Sequence, residues 1–220
     1  MLRLLLAFVL VVMAMGKGCC PPKAWEGFVG TMSGFMKDGK PHSSKGLLMY
    51  HTNDTLGMVD SEGDIIIDRL LTLKIRIIKD NNKMIGYNIM NGKCTKKTLV
   101  RKELDCIPEN ATLVRSTYLG AGPETLAVKV YRFMDGDTEV YSTVTSSGCI
   151  PLDHVLTGIH PDTKAEFIGV EQVSGITVGV KDPSVFDIPS ICPSSGVSSD
   201  YVTTMSLWMS SVVLIAKLIV

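Results

Sequence analysis

The sequence predicts a mainly β protein of antiparallel strands, and two observations carry that prediction. Apolar and polar residues alternate over Leu71–Ile77, which is the period of a half-buried strand. Asn91-Gly92 and Asp135-Gly136 each separate two strand-like segments, and both dipeptides are typical of tight hairpin turns. We therefore expect one domain of about nine to eleven strands, arranged largely as hairpins.

The remaining strands follow from the same two signals. Segments expected to be strands are Gly27–Met36, Gly46–His51, Met84–Met90, Cys94–Val100, Thr112–Leu119, Leu126–Phe133, Thr138–Val144 and Ala165–Val180. Asp38-Gly39 is expected to turn the first hairpin, and the acidic cluster Asp60–Asp64 to be a solvated turn. Helix is considered only for Leu152–Ile159 and for the C-terminal tail. The apolar face of such a sheet must be buried against a second sheet, by closure into a barrel, or by a ligand.

The charge balance argues against nucleic-acid binding. Lys and Arg together number 22, as do Asp and Glu, and no basic block creates a local positive field. Hydrophobic residues make up 45% of the chain and charged residues 20%, which is the balance of a globular protein.

The N-terminus has the plan of a secretory signal peptide. Arg3 precedes an apolar run over Leu4–Met13, and small residues follow at Ala14–Gly16. The alternative is a buried N-terminal strand or helix. We assign residues 1–16 to the signal peptide, 17–192 to the β domain and 193–220 to a polar spacer with a hydrophobic tail.

The cysteine count agrees with export to an oxidising compartment. The six cysteines are Cys19, Cys20, Cys94, Cys106, Cys149 and Cys192. An even number in a secreted protein predicts up to three disulfides, and six cysteines allow fifteen pairings. Metal binding is the competing interpretation, but neither the cysteines nor the four histidines have ligand spacing. The triplets beginning at Asn53 and Asn110 are N-glycosylation acceptors.

The C-terminal tail has three interpretations. Small and polar residues over Pro193–Asp200 precede an apolar stretch over Met205–Val220, the pattern of a lipid-anchor attachment signal. Lys217 argues against that interpretation, and the stretch is short for a spanning helix. A membrane anchor and a helix packed on the protein are the alternatives.

We find no catalytic motif and expect no enzymatic activity. Gly30–Gly34 lacks the spacing of a serine-hydrolase elbow, and Gly120–Pro123 lacks the third glycine of a dinucleotide loop. Asp135–Asp137 lacks the other ligands of a calcium loop, so it is interpreted as a hairpin turn.

Three stretches resemble the ependymin-related family. They are Cys19–Gly27, with its Trp-Glu-Gly, Cys94–Leu99, and the segment from Thr143 to Cys192 with its Asp-Pro-Ser-Val-Phe ending. The resemblance implies two curved antiparallel sheets that form a half-open barrel or sandwich around an apolar cavity, similar to bacterial lipoprotein carriers. It further implies a secreted or lysosomal glycoprotein, often a dimer, linked with calcium, lipid and matrix such as collagen.

The resemblance also implies a disulfide arrangement. One of Cys19 and Cys20 would pair with Cys149, and Cys94 with Cys192. Cys106 would then be left for the remaining member of the adjacent pair. The family's usual cysteine is missing before the central strand, where Asp64 stands.

Two functions remain open at this point. The first is a carrier of an amphiphilic lipid that requires no cofactor, and the second is a calcium-dependent adhesion or matrix protein. The candidate walls of a lipid pocket are Leu71, Leu73, Ile75, Ile77, Leu126, Val128 and Val130. Their alternation alone indicates burial and fits a packed core as well as a pocket. The sequence places no metal ligands.

Overall fold

The structure is a computed structural model, and it describes residues 19–37, 39–99, 102, 106–159 and 164–193. The expected signal peptide, the hydrophobic tail and Asp38 of the first turn lie outside these residues. The strands are β1 (Ala24–Lys37), β2 (Lys40–Asn53), β3 (Met58–Ile67), β4 (Leu71–Asp80), β5 (Ile85–Met90), β6 (Lys93–Thr98), β7 (Thr112–Ala121), β8 (Glu124–Asp135), β9 (Thr138–Thr145), β10 (Pro151–Ile159) and β11 (Glu166–Val178). A short 3-10 helix follows at Pro183–Phe186.

All eleven strands belong to one antiparallel sheet, so the prediction of a mainly all-β fold is confirmed. The order is β6-β5-β4-β3-β2-β1-β11-β10-β9-β8-β7. Two meanders, β1–β6 and β7–β11, become one continuous curved sheet because β1 pairs with β11 at its centre. The sheet stays half-open, since β6 and β7 end it on opposite sides. Among the described residues, no helix is long and apolar enough to cross a membrane.

The hairpin turns follow the local chemistry of their residues. Asn91 and Gly92 have φ values of 47° and 78°, as a two-residue turn with positive φ at both positions requires. The Asp135 turn is shifted by one residue from the expected place. Asp135 pairs with Thr138, which leaves Gly136, with φ of 62°, and Asp137 as the loop.

Two segments differ from the sequence-based expectation. The Asp60–Asp64 cluster is part of β3 and not a turn, and the side chain of Asp60 is only 3% exposed because it has partners on other strands. Leu152–Ile159 forms β10 and not a helix, paired on both sides with β9 and β11. Its inward positions include His154, so the apolar residues alone do not show the period of two that marks a strand.

One face of the sheet forms the core, and we call it the inner face. It is formed by the odd-numbered residues of β1, β3, β4 and β8, the even-numbered residues of β2, β9 and β10, and Phe167–Val173 at odd positions of β11, as the strand registers require. The apolar core cluster consists largely of these residues: Trp25, Val29, Phe35, Leu48, Tyr50, Val59, Ile65, Ile67, Leu73, Ile75, Ile77, Ile107, Phe133, Val140, Val144, Leu156, Phe167 and Val173. Both meanders contribute, so the curved sheet encloses one core.

Three long-range disulfides join the two meanders and the segments flanking them. Cys19 pairs with Cys149, Cys20 with Cys106, and Cys94 with Cys192. Among the described residues no cysteine is free. Cys19 is thus the member of the adjacent pair bonded to Cys149, and Cys20 is the partner of Cys106.

Candidate functional site

A stripe of polar side chains crosses the inner face, and we call it the polar stripe. Thr31 on β1 pairs with Glu171 on β11, Glu171 pairs with His154 on β10, and His154 pairs with Ser142 on β9. Directly paired residues project from the same face of a sheet, so the four side chains form one row across four neighbouring strands. At about 4.8 Å per strand the row extends about 14 Å.

The polar stripe is deeply buried. The exposed fractions are 4% for Thr31, 1% for Glu171, 1% for His154 and 0% for Ser142. Neither Thr31 Oγ1 nor Ser142 Oγ has a hydrogen-bond partner within the described part of the chain. A buried hydroxyl without a partner costs about 1–3 kcal/mol. By contrast, the nearby inner-face hydroxyls of Ser33 and Ser44 bond to each other at 2.6 Å.

Apolar side chains line both sides of the polar stripe. The row two residues away on one side contains Val29, Val173 and Val144. The row two residues away on the other side contains Ser33, Gly169, Leu156 and Val140. The stripe therefore lies between rows that are largely apolar, although Ser33 on β1 is a polar neighbour of Thr31. Thr138, further along β9, is another fully buried hydroxyl without a partner in the described region.

The imidazole of His154 is a neutral member of the stripe. Burial away from water lowers the pKa of His154 well below its ordinary value of 6.5. The ring therefore presents one donor and one acceptor at neutral pH and carries no positive charge.

The predicted wall residues of β4 lie at different depths. Leu73, Ile75 and Ile77 belong to the core cluster on the inner face, while Leu71 at the start of the strand is 49% exposed. The strand register places all four side chains on the inner face, and of these four Leu71 alone is exposed to solvent.

The predicted wall residues of β8 do not lie on the inner face. Phe133 and Tyr131 occupy the inward positions of β8, so Leu126, Val128 and Val130 project from the opposite side. Val128 is buried there, Val130 is half-buried and Leu126 is 45% exposed. The alternation over Leu126–Val130 gave no indication of which of its two sets of side chains faces the core.

The segment after β11, residues 179–192, crosses the outer face, and we call it the strap. The backbone N–H of Gly179 donates to Ala24 O on β1, and Arg76 on β4 donates to the carbonyl oxygen of Val185. The disulfide to Cys94 then fixes the end of the strap at β6. This region contains the Asp-Pro-Ser-Val-Phe sequence, whose Phe186 is buried.

A row of buried ionisable side chains lies beneath the strap. Glu26, His51 and Asp60 are paired in sequence across β1, β2 and β3 on the outer face. Asp60 Oδ1 accepts from Arg76 Nε at 2.7 Å, and Asp60 Oδ2 lies 3.3 Å from His51 Nδ1. Glu26 accepts from the backbone N–H of Lys181 at 3.1 Å, and this bond lowers the pKa of the Glu26 carboxyl.

The expected glycosylation acceptors occupy different surroundings. Asn110 is exposed in the turn that Ala111 N closes on Pro108 O. Asn53 is half-buried at the end of β2, and its Oδ1 accepts from the N–H of Leu56 at 3.1 Å. Occupancy of either acceptor stays a prediction.

A cluster of acidic side chains that could hold calcium is not found in the described residues. No group of three or more His, Cys, Asp or Glu side chains in that part of the chain is placed to hold a metal ion.

These features define the class of protein: a disulfide-bonded antiparallel β protein with a curved sheet and a buried polar band on its inner face. The chain belongs to the ependymin family, whose model matches residues 71–192. No curated protein matches the chain in sequence.

Two solved structures are distantly similar. An uncharacterized conserved protein from Thermus thermophilus has 11% identity and a TM-score of 0.46, over 77% of this chain and 87% of that one. A DUF1329 family protein from Desulfovibrio piger has 8% identity and a TM-score of 0.31, over 81% of this chain and 93% of that one.

Proposed function

We propose that the protein is an extracellular carrier that holds an amphiphilic lipid against the inner face of its curved sheet. The single observation that carries the proposal is the combination of an apolar inner face with the polar stripe across it. Two stripe hydroxyls, on Thr31 and Ser142, have no partner in the described region. Pockets for small amphiphiles combine apolar walls with a few placed polar groups in the same way.

A well-packed core would not favour such a stripe. Each unpartnered buried hydroxyl costs free energy that an apolar side chain of equal size would not. A bound ligand whose polar group bonds to one of these two hydroxyls would remove part of that cost. The chain of the ligand would then lie against neighbours such as Val29, Val173 and Leu156.

Mass spectrometry of the protein secreted from animal cells tests the proposal. Under native conditions we expect a stoichiometric mass increment that disappears when the protein is denatured. A protein that is free of ligand and stays so after incubation with mixed lipid vesicles would overturn the carrier function.

An outer-face variant provides the matched control. Met32 and Ile168 are exposed apolar residues on the outer face, at 61% and 53%. The double variant Met32→Asp/Ile168→Asp is expected to retain the increment, since the ligand lies on the inner face. Loss of the ligand in this variant would show adsorption to the outer surface instead.

The other family expectations are separate proposals, and a calcium-dependent adhesion or matrix protein is the alternative to the carrier function. The three disulfides and the family membership support an extracellular location. Glycosylation at Asn110, a homodimer and a lysosomal destination are tested by glycosidase digestion, sedimentation velocity and cell fractionation. Calcium-dependent binding to collagen is tested by measuring adhesion with and without a chelator.

A further inference from the structure

One segment of the sheet is exposed along its whole length. Every residue from Thr112 to Ala127 is exposed, and together they comprise β7, the turn after it and the first residues of β8. Each of the other described strands contains buried or half-buried residues. We call residues 112–127 the arm.

The arm extends beyond the neighbouring strand β9. β9 pairs with β8 from Val128 onwards, and Ser146 N donates to Ala127 O just before that point. On its other side the arm ends the sheet, since β7 is an edge strand. The outer part of the arm is therefore a two-stranded hairpin, which is only marginally stable in water when nothing packs on it.

Large apolar side chains project from both faces of the arm. Leu119 pairs directly with Leu126, so both lie on the outer face, at 46% and 45% exposure. Tyr118 pairs with Ala127 on the inner side and is 63% exposed. A protein partner on one face would leave the apolar residues of the other face in water, whereas a bilayer surface covers both faces of an inserted end.

Two cations lie further back along the same two strands. Arg115 lies on the outer face of β7 and Lys129 on the inner face of β8. Arg115 is four residues from Leu119 and Lys129 is three from Leu126, so each cation lies about 10–14 Å along its strand from the apolar end. An end that enters the boundary between headgroups and acyl chains by about 5–10 Å brings both cations to the phosphate groups. Glu124, at the end of the arm, is its one acidic residue.

We infer that the arm docks the protein on the surface of a bilayer that contains anionic phospholipid. Its apolar end enters the bilayer surface, and Arg115 and Lys129 contact the phosphates. The inner side of the arm continues along β8 into the inner face, where Lys129 pairs with Val144 of the core cluster. The arm thus joins the membrane to the face that holds the ligand in the proposed function. The inference goes beyond that function, because docking is measured without a ligand.

Co-sedimentation of the secreted protein with vesicles tests the apolar end. Vesicles of phosphatidylcholine and phosphatidylglycerol in equal amounts are compared with vesicles of phosphatidylcholine alone. We expect binding to the mixed vesicles, and we expect Leu119→Asp/Leu126→Asp to weaken it about tenfold or more, since the variant replaces the inserted apolar side chains with charges. Met32→Asp/Ile168→Asp makes the same change of charge at exposed apolar residues outside the arm and is expected to bind as the wild type does.

Charge variants test the contact with the phosphates. Arg115→Gln/Lys129→Gln is expected to weaken binding to the mixed vesicles about tenfold or more, because each cation near an anionic surface strengthens binding about fivefold. The same variant should leave binding to phosphatidylcholine alone unchanged. Glu124→Gln removes a negative charge from the inserted end and is expected to strengthen binding several-fold, a gain that misfolding would not produce.

Native mass spectrometry of each protein separates this inference from the proposed function. A wild type that carries a ligand but does not bind the mixed vesicles overturns docking and leaves the carrier function standing. Arm-dependent binding by a protein that stays free of ligand overturns the carrier function and leaves docking standing. Equal loss of binding in the arm variant Leu119→Asp/Leu126→Asp and in Met32→Asp/Ile168→Asp overturns the role of the arm. In sedimentation velocity without vesicles, a dimer that the arm variant alone dissociates would make the arm an interface between two copies and overturn membrane docking.

Discussion

Arg76 Nε donates a 2.7 Å hydrogen bond to Asp60 Oδ1, and the same guanidinium group donates to the carbonyl oxygen of Val185 in the strap. One side chain of β4 therefore links a buried carboxylate of β3 to a segment that follows the last strand. The link explains how a Pro-containing segment with a single helical turn stays in place on the outer face.

Replacement of Arg76 is expected to destabilise the fold. In Arg76→Gln the buried Asp60 loses its charged partner and the strap loses a contact, which we expect to lower the free energy of unfolding by about 2–3 kcal/mol. Lys74→Gln is the control on the same strand. Lys74 is 72% exposed and lies 3.4 Å from Glu62, and a surface pair of this kind contributes about 0.5 kcal/mol. Equal losses in urea titrations of the two variants would contradict this account.

Burial of His154 predicts a loss of stability in mild acid. Its pKa is lowered in the folded protein, so the unfolded chain takes up a proton below about pH 6.5 while the folded protein resists it. Stability therefore falls as the pH decreases from 7.5 to 5.5. Glu171 and Ser142 are the groups facing the ring from the paired strands.

The variant His154→Gln isolates this effect. It is expected to be less stable than the wild type at pH 7.5 but to show a flatter dependence of the thermal midpoint on pH. Parallel curves for the two proteins would show that another group is responsible.

Glu26 is expected to affect the stability of the fold at a lower pH than His154 does. Its pKa is lowered by the bond from the Lys181 backbone N–H, so its contribution to stability is present above about pH 4.5 and is lost as the pH falls through the folded-state pKa. Glu26→Gln should reduce the urea midpoint at pH 7, and the difference from wild type should shrink towards pH 3. A difference that stays constant over this range would contradict the prediction.

The Cys94–Cys192 disulfide is expected to hold the strap in place, whereas the Cys20–Cys106 disulfide is not. The Cys94–Cys192 and Cys20–Cys106 bonds have sequence separations of 98 and 86, so chain entropy predicts a similar loss of about 4.6 kcal/mol when either is replaced by serines. Only removal of the first should release the strap. Hydrogen exchange at the Lys181 amide is expected to accelerate in that variant alone, and equal acceleration in both would contradict this role.

Two strand glycines differ in the space around them. A Cβ atom on Gly63 would lie 2.2 Å from Leu47 O and 3.0 Å from the Cα atom of Leu48, whereas on Gly30 its nearest neighbour would be Gln172 O at 3.8 Å. We expect Gly63→Ala to cost about 3 kcal/mol and Gly30→Ala to be nearly neutral. Thermal unfolding of the two variants compares them directly, and similar midpoints would contradict the assigned packing.

Sequence reasoning succeeded where the information is local. Asn91-Gly92 forms its hairpin because both residues adopt the positive φ that the turn requires. It failed at Asp60, whose acidic neighbours suggested solvent, because the partners Arg76 and His51 come from other strands. Burial of a carboxylate depends on such partners, and no pattern near Asp60 indicates them.

The polar stripe was missed for a related reason. Thr31, Ser142, His154 and Glu171 are far apart in the chain, and each interrupts the apolar alternation of its own strand. Only the strand order, with β1 beside β11, brings Thr31 next to Glu171. A buried polar position that repeats from strand to strand is visible once the registers are known, and not before.

The three disulfides overlap along the chain, with spans 19–149, 20–106 and 94–192. Every peptide bond between Cys20 and Cys192 lies within at least one of these spans. A protease that cuts a single loop of the described domain therefore leaves two pieces that remain covalently attached, and the break is visible on a gel only after reduction. A domain cut once between these cysteines would therefore keep its covalent integrity until its disulfides are reduced.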